Sequence, residues 1–193
     1  MLTNLPAKSF IFGAPGAGKT TFSWHLKHRL KSPVVEADKL RVGIAQLDKT
    51  AQEDPLLYVG VRDAYQHFGD LTFANVVKGL QALRQSMAPY VLNEVQLYPD
   101  KLILEGSFLA PEQLQPFGIV VLVATELEAQ HERQFFTSRA RNAVSMDWFR
   151  SSRLAQTYML HEAHDQGIAV LNNTGDMPAL VDQFLRRAAI EQE

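Results

Sequence analysis

The chain has 193 residues, 46% of them hydrophobic and 21% charged, with a formal net charge of −2. That is the size and balance of one globular domain, with no global electrostatic case for binding nucleic acid or a membrane surface. The absence of cysteine excludes disulfides, thiolate catalysis and cysteine-ligated zinc. The start, Met1-Leu-Thr-Asn-Leu-Pro6, lacks the charged head and apolar core of a signal peptide, and no window approaches the ~18 apolar residues of a membrane span. The expectation is a cytoplasmic enzyme with neither a nucleic-acid nor a membrane partner.

Ser9–Phe12 reads as a short buried strand. Directly after it stands Gly13-Ala14-Pro15-Gly16-Ala17-Gly18-Lys19-Thr20-Thr21, which fits G-x-x-x-x-G-K-[ST] without departure. A helical pattern begins near Gly18, so the run has the strand–loop–helix context of a phosphate loop. Glycines let the backbone bend so that successive N–H groups face an anion, and the helix N-terminus adds a partial positive charge. Gly13 to Thr21 are therefore expected to hold the phosphates of ATP, with Lys19 on the β- and γ-phosphates and the Thr20 hydroxyl on Mg²⁺.

Phe22, Leu26 and Leu30 form a helical stripe through Thr21–Lys31, with Lys27, His28, Arg29 and Lys31 on a solvated face. Ser32-Pro33 ends that helix. Val34–Asp38 reads as a second strand closing in a carboxylate, and Lys39-Leu40-Arg41 open a new helical turn. Ligands of parallel sheets sit beyond the carboxyl ends of the strands. Asp38 and Arg41 are thus placed to bind a small-molecule acceptor; the competing role for Asp38 is a helix cap.

Residues 42–55 are mixed and polar. Leu56–Phe68 looks helical, Gly69-Asp70 breaks it, and Thr72–Met87 carries the stripe Phe73, Val76, Val77, Leu80 and Leu83. Pro89 is expected to start a further turn to Leu97. The segment of about 42–98 is expected to cover the substrate, with Tyr58, Arg62, Tyr65 and His67 as packing or surface groups rather than contacts.

Lys101–Gly106 is a compact apolar strand ending in Glu105, the pattern that places a ligand of metal-bound water, or a base, opposite a phosphate loop. Pro111 suits the first position of a helix. Gly118–Ala124 is continuous and β-branched, as in a central strand covered on both faces. Thr125 and Glu128 have the spacing of a capping box. The helix they open carries His131, Arg133, Arg139 and Arg141. Arginine forks pair with phosphate oxygens, so Arg139 is expected to stabilise the transferring group, with Arg133 and Arg141 on the nucleotide. The alternative for these charges is a solvated face. Met146–His164 is a long helix capped by Gly167, and Ile168–Leu171 is the fifth strand. The turn-rich loop after it puts Asn173 or Thr174 near the nucleotide base. Ala179–Ala189 closes the chain as an amphipathic helix with Leu180, Phe184 and Leu185 inward.

Strands alternating with helices give an α/β fold with a parallel sheet and right-handed crossovers. On Gly13–Thr21, Asp38 with Arg41, Leu104-Glu105-Gly106 with Leu109 and Pro111, the stretch Arg133–Arg141 and Gly167–Leu171, the chain resembles the phosphate-loop kinases of the nucleotide and shikimate kinase type. More narrowly it is similar to the 2-phosphoglycerate kinase-like and zeta-toxin-like branch. That pattern tends to carry a histidine where this chain has Phe108. The resemblance implies one three-layer αβα domain over 1–193, with a five-stranded sheet in the order 2-3-1-4-5 and a helical lid at about 133–147. It also implies an acid after the second strand that orients or deprotonates the acceptor hydroxyl, the position of Asp38. The expected activity is ATP- and Mg²⁺-dependent transfer of the γ-phosphoryl group to a hydroxyl of a small molecule. A nucleoside triphosphatase using water, and a nucleotide-sensing module without turnover, are the other functions the same motif serves.

Overall fold

The computed structural model describes residues 7–137 and 145–190. β1 (Lys8–Phe12) runs into the glycine-rich loop and α1 (Lys19–Leu30); β2 (Val34–Glu36) leads into a single turn, α2 (Ala37–Leu40), which continues as a π-helical turn over Arg41–Ala45. The long α3 (Phe73–Leu97) precedes β3 (Leu102–Gly106), the short α4 (Pro111–Leu114) and β4 (Ile119–Ala124). α5 (Glu128–Thr137), α6 (Met146–Asp165), β5 (Ala169–Asn172) and α7 (Met177–Ile190) complete the described chain.

The five strands form one parallel sheet in the order β2-β3-β1-β4-β5, as expected. Side chains alternate across the strands. Phe10, Phe12, Leu104 and Leu122 pack on one face with Leu80, Leu83 and Met159 of α3 and α6. Ile11, Ile103, Val121 and Val123 pack on the other with Phe22 and Leu26 of α1 and Phe184 of α7. The three layers are thus held by two apolar interfaces, each buried against a stripe of helix. Register sets which strand ends meet: Phe12 lies opposite Gly106 and Glu36 opposite Glu105. The loops after β1, β2 and β3 therefore leave the sheet side by side. No helix among the described residues is long and apolar enough to cross a membrane.

Several elements differ from the sequence expectation. β2 stops at Glu36, so Asp38 lies in the first turn of α2 rather than on the strand. Leu56–Phe68 is not one helix but two 3₁₀ turns, Pro55–Tyr58 and Ala64–His67, with Gly60 between β-branched Val59 and Val61, poor helix formers. α3 runs unbroken through Pro89. Pro89 and Gln85, whose carbonyl loses its i+4 donor, are both exposed, so the missing bond falls on the solvent face. Thr125 does not cap α5, which begins at Glu128; its hydroxyl turns instead to the glycine-rich loop.

Candidate active site

The loop between β1 and α1 is shaped by what surrounds it. Gly18 holds φ at +94°, and a Cβ there would stand 2.4 Å from Asn173 Nδ2; on Gly13 it would stand 2.2 Å from the Val123 carbonyl. Only glycine fits either position. Lys19 is 7% exposed and its Nζ donates to the Ala14 carbonyl at 3.0 Å, folding the side chain back over the loop. The Thr20 hydroxyl donates to Glu105 Oε1 at 2.7 Å, joining the start of α1 to the end of β3. Burial pushes the Glu105 carboxyl above its usual range, and Glu36 and Asp38 add to this, while the nearby Lys19 charge and the Thr20 hydrogen bond oppose it.

The loop's outer side is tied to the rest of the molecule. The Pro15 carbonyl accepts from Ser152 Oγ at 2.6 Å and His131 Nε2 at 2.9 Å. The Ala17 carbonyl accepts from Asn173 Nδ2 at 2.9 Å, and Thr125 Oγ1 lies 3.3 Å from it.

A cleft of about 1250 Å³ opens over the loop. Pro15, Gly16, Gly18, Lys19, Thr20 and Thr21 form its floor, with Glu105 and Ser107 beside them. Asp38 and Arg41 line the same cleft, as does Arg133 on α5. Asp38 has a side chain 64% exposed and lies 3.5 Å from Arg41 Nη2. Arg41 is held by Nη1 donating to the Leu57 carbonyl at 3.1 Å, while its Nε is buried without a hydrogen-bond partner. Gly13, Ala14 and Ala17 lie behind the lining, and Ala14 and Ala17 are fully buried.

Thr174 is exposed and outside the cleft lining. Asn173 lines the cleft but is 1% exposed; its amide holds Ala17 and its Oδ1 accepts from Gly175 N–H at 2.9 Å, so the side chain braces the loop. Arg139 and Arg141 lie outside the described residues. Phe108, at the position where the resemblance carries histidine, is 2% exposed, and the neighbouring Ser107 lines the cleft instead.

Sequence reasoning missed one wall. Tyr58, Arg62 and Asp63 line the cleft, and Trp148 of α6 joins them. The Arg62 guanidinium stacks 4.1 Å above the Trp148 ring, and Arg62 Nε lies 3.3 Å from Asp63 Oδ2. The only sequence signal was a cluster of large polar side chains flanking Gly60. Tyr65 is buried, and His67 is exposed and outside the lining.

The oxygen-only pair of Thr20 hydroxyl and Glu105 carboxylate suits a hard cation that draws its remaining ligands from water and phosphate. The amide-rich loop at the N-terminus of α1, with Lys19 across it, suits a polyphosphate.

No protein-family model and no curated protein sequence matches the chain. Solved structures do. A shikimate kinase from Acinetobacter baumannii in complex with shikimate superposes with a TM-score of 0.60 at 16% identity, covering 97% of this chain and 95% of that one. A gluconokinase from Sinorhizobium meliloti 1021 gives 0.60 at 12%, covering 97% and 94%. A deoxyadenosine kinase from M. mycoides with bound dATP gives 0.54 at 13%, covering 93% and 98%. The fold is that of the phosphate-loop kinases. In this phosphate-loop kinase fold the glycine-rich loop and Asp38 follow β1 and β2, and Glu105 stands near the end of β3 between them, at the crevice where open parallel sheets take their ligands.

Proposed function

We propose that the protein is an ATP- and Mg²⁺-dependent phosphotransferase acting on a hydroxyl of a small molecule. One observation carries this reading: an open cleft joins the phosphate loop to Asp38 and Arg41. The loop amides and Lys19 hold the β- and γ-phosphates. The Thr20 hydroxyl and Glu105, the latter through water, hold the metal. Mg²⁺, when bound, supplies charge neutralisation across the phosphate oxygens. Asp38, more than half exposed at the cleft, accepts the proton of the acceptor hydroxyl. Arg41, whose buried Nε has no hydrogen-bond partner, pairs with an anionic part of the acceptor. Arg133 meets phosphate oxygens from α5, and Arg139 and Arg141 are assigned the same work in the lid of about 133–147. The segment 42–98 covers the acceptor. Catalysis in this scheme is positioning and charge stabilisation.

The narrower likeness to 2-phosphoglycerate kinase-like and zeta-toxin-like proteins rests on Gly13–Thr21, Asp38 with Arg41, Leu104–Gly106 with Leu109 and Pro111, Arg133–Arg141 and Gly167–Leu171. Phe108 has no ring nitrogen to offer an anion and is buried away from the cleft, which favours an acceptor other than a phosphorylated acid.

The test is ATP consumption and product formation across a panel of sugars, hydroxy acids and nucleosides. Lys19→Ala is expected to lower turnover by at least about 100-fold. Asp38→Asn is expected to lower transfer by about 100- to 10,000-fold while ATP affinity holds. Normal transfer by Asp38→Asn removes Asp38 from the chemistry. ATP loss at equal rates with and without an acceptor points to a triphosphatase, and tight binding without turnover to a sensor.

A further inference from the structure

The phosphate loop is aimed from behind. Pro15 sits between the loop's glycines, and its carbonyl accepts from two donors on two different helices, His131 of α5 and Ser152 of α6. Both donors are fully buried. A carbonyl oxygen only accepts, so His131 Nε2 carries a proton. Arg153 Nη1, which only donates, lies 3.4 Å from His131 Nδ1 and 3.0 Å from the Thr125 carbonyl. Nδ1 is thus the accepting nitrogen, and the tautomer that Pro15 needs is the one Arg153 selects. The ring is fixed in orientation by edge-on packing against Phe149 and Phe135, centroids 5.5 and 6.4 Å away.

Peptide geometry carries this grip through to the cleft. The described chain has no cis peptide bond, and in a planar trans peptide the C=O and the following N–H point in opposite directions. Turning the Pro15 carbonyl toward α5 and α6 turns the Gly16 N–H away from them, and Gly16 lines the cleft. The Ala17 carbonyl, held by Asn173, does the same for Gly18 N–H.

We propose that His131 and Ser152 are positioning residues which, by gripping the Pro15 carbonyl, preset the Gly16 amide toward the bound polyphosphate. This rests on the proposal that the loop holds a nucleoside triphosphate. It adds that the loop's anion affinity is set by two side chains that do not touch the ligand. A loop held in its binding geometry before the ligand arrives spends less affinity on ordering.

The experiment uses the full chain and two probes, inorganic tripolyphosphate and ATP·Mg²⁺, titrated calorimetrically, with steady-state kinetics on ATP. His131→Phe keeps the ring packing and removes the donor; His131→Gln keeps a donor. Ser152→Ala is compared with Ser151→Ala, since the Ser151 hydroxyl is buried without a partner. His131→Phe and Ser152→Ala are each expected to weaken both probes by about fivefold, the effect of one buried hydrogen bond. The double variant is expected to lose more than the product of the two, because either donor alone still holds the carbonyl. KM for ATP should rise with kcat unchanged, His131→Gln should restore affinity, and Ser151→Ala should bind as the parent does. Unchanged tripolyphosphate affinity in the double variant overturns the inference, as does His131→Gln binding as weakly as His131→Phe. Should the double variant fail to fold, Ser152→Ala against Ser151→Ala decides on the same criterion. A parent protein that binds tripolyphosphate but not ATP overturns the nucleotide proposal alone. One that binds ATP with the variants unaffected overturns only this inference, and one that binds neither probe overturns both.

Discussion

A carboxylate taken out of water without a compensating partner weakens a fold when it is charged, and Glu94 on α3 has its carboxyl raised by desolvation with no opposing cause. It is 7% exposed, and burial raises its carboxyl above the usual 4.5. The folded chain therefore holds this proton more tightly than the unfolded chain. Below the ordinary carboxylate range both states are protonated and the site is neutral in its effect. As pH rises, the unfolded chain ionises first, and stability falls until the folded carboxyl has ionised too. Glu94→Gln removes that loss. It is expected to melt higher than the parent at pH 7.5 and level with it near pH 4, in thermal unfolding followed by circular dichroism. An equal difference at both pH values means that titration is not the cause. The residues of the site divide by the reach of their signal. Lys19 and Thr20 were legible because one contiguous motif fixes their spacing, and Glu105 because an acid closing an apolar run marks a strand end. Arg62 and Trp148 meet only because the chain folds back between positions 62 and 148, and nothing local to either marks the stacking. The loop's rear donors were hidden for the same reason, since His131, Ser152 and Asn173 look like ordinary helix and loop residues until Pro15 and Ala17 are set against them.

At the scale of elements, α3 and α6 are joined by more than apolar contact. Arg84 and Glu162 form a two-pronged pair at 2.6 and 2.8 Å, with side chains 6% and 7% exposed. Desolvating both charges offsets most of their attraction, whereas removing one partner leaves the other charged and buried. Glu162→Leu is therefore expected to destabilise by about 3–5 kcal/mol, and Arg84→Met with Glu162→Leu by far less. Chemical denaturation of the two variants checks this, and a double variant as unstable as the single one contradicts it. The existence of α3 was legible in its stripe, but its length was not. Pro89 reads as a boundary in the sequence, and only the exposure of Pro89 and Gln85 explains why the helix passes through it. Leu56–Phe68 departs from expectation for the opposite reason. Its apolar residues suit a helical period, but Val59-Gly60-Val61 breaks it, and Leu57, Val61, Ala64 and Tyr65 are buried through tight turns instead.

For the whole molecule, alternation of strand and helix was enough to give the parallel sheet, because continuous apolar strands and amphipathic helices have few other ways to bury one another. The strand order then decides what meets at the cleft. With β1 between β3 and β4, the phosphate loop has Glu105 on one side, and the Val123 carbonyl and Thr125 on the other. The loop is braced by the ends of three neighbouring strands, so a ligand held in it should stabilise the entire domain rather than one segment. ATP·Mg²⁺ at about 100 times its Kd is expected to add roughly 2.7 kcal/mol and raise Tm by about 5–11 °C for a chain of this size. Lys19→Ala should abolish the shift, since the Lys19 charge serves the anion, and the shift is read against that variant's own unliganded Tm, because Lys19 also donates to the Ala14 carbonyl. Asp38→Asn should keep the ATP·Mg²⁺ shift in full but lose any further rise that an acceptor produces in the parent. Differential scanning fluorimetry with each ligand alone and with both separates these cases. A parent protein whose Tm ignores ATP·Mg²⁺ at millimolar concentration contradicts the nucleotide site, and an acceptor-dependent shift that survives in Asp38→Asn moves the acceptor away from that aspartate.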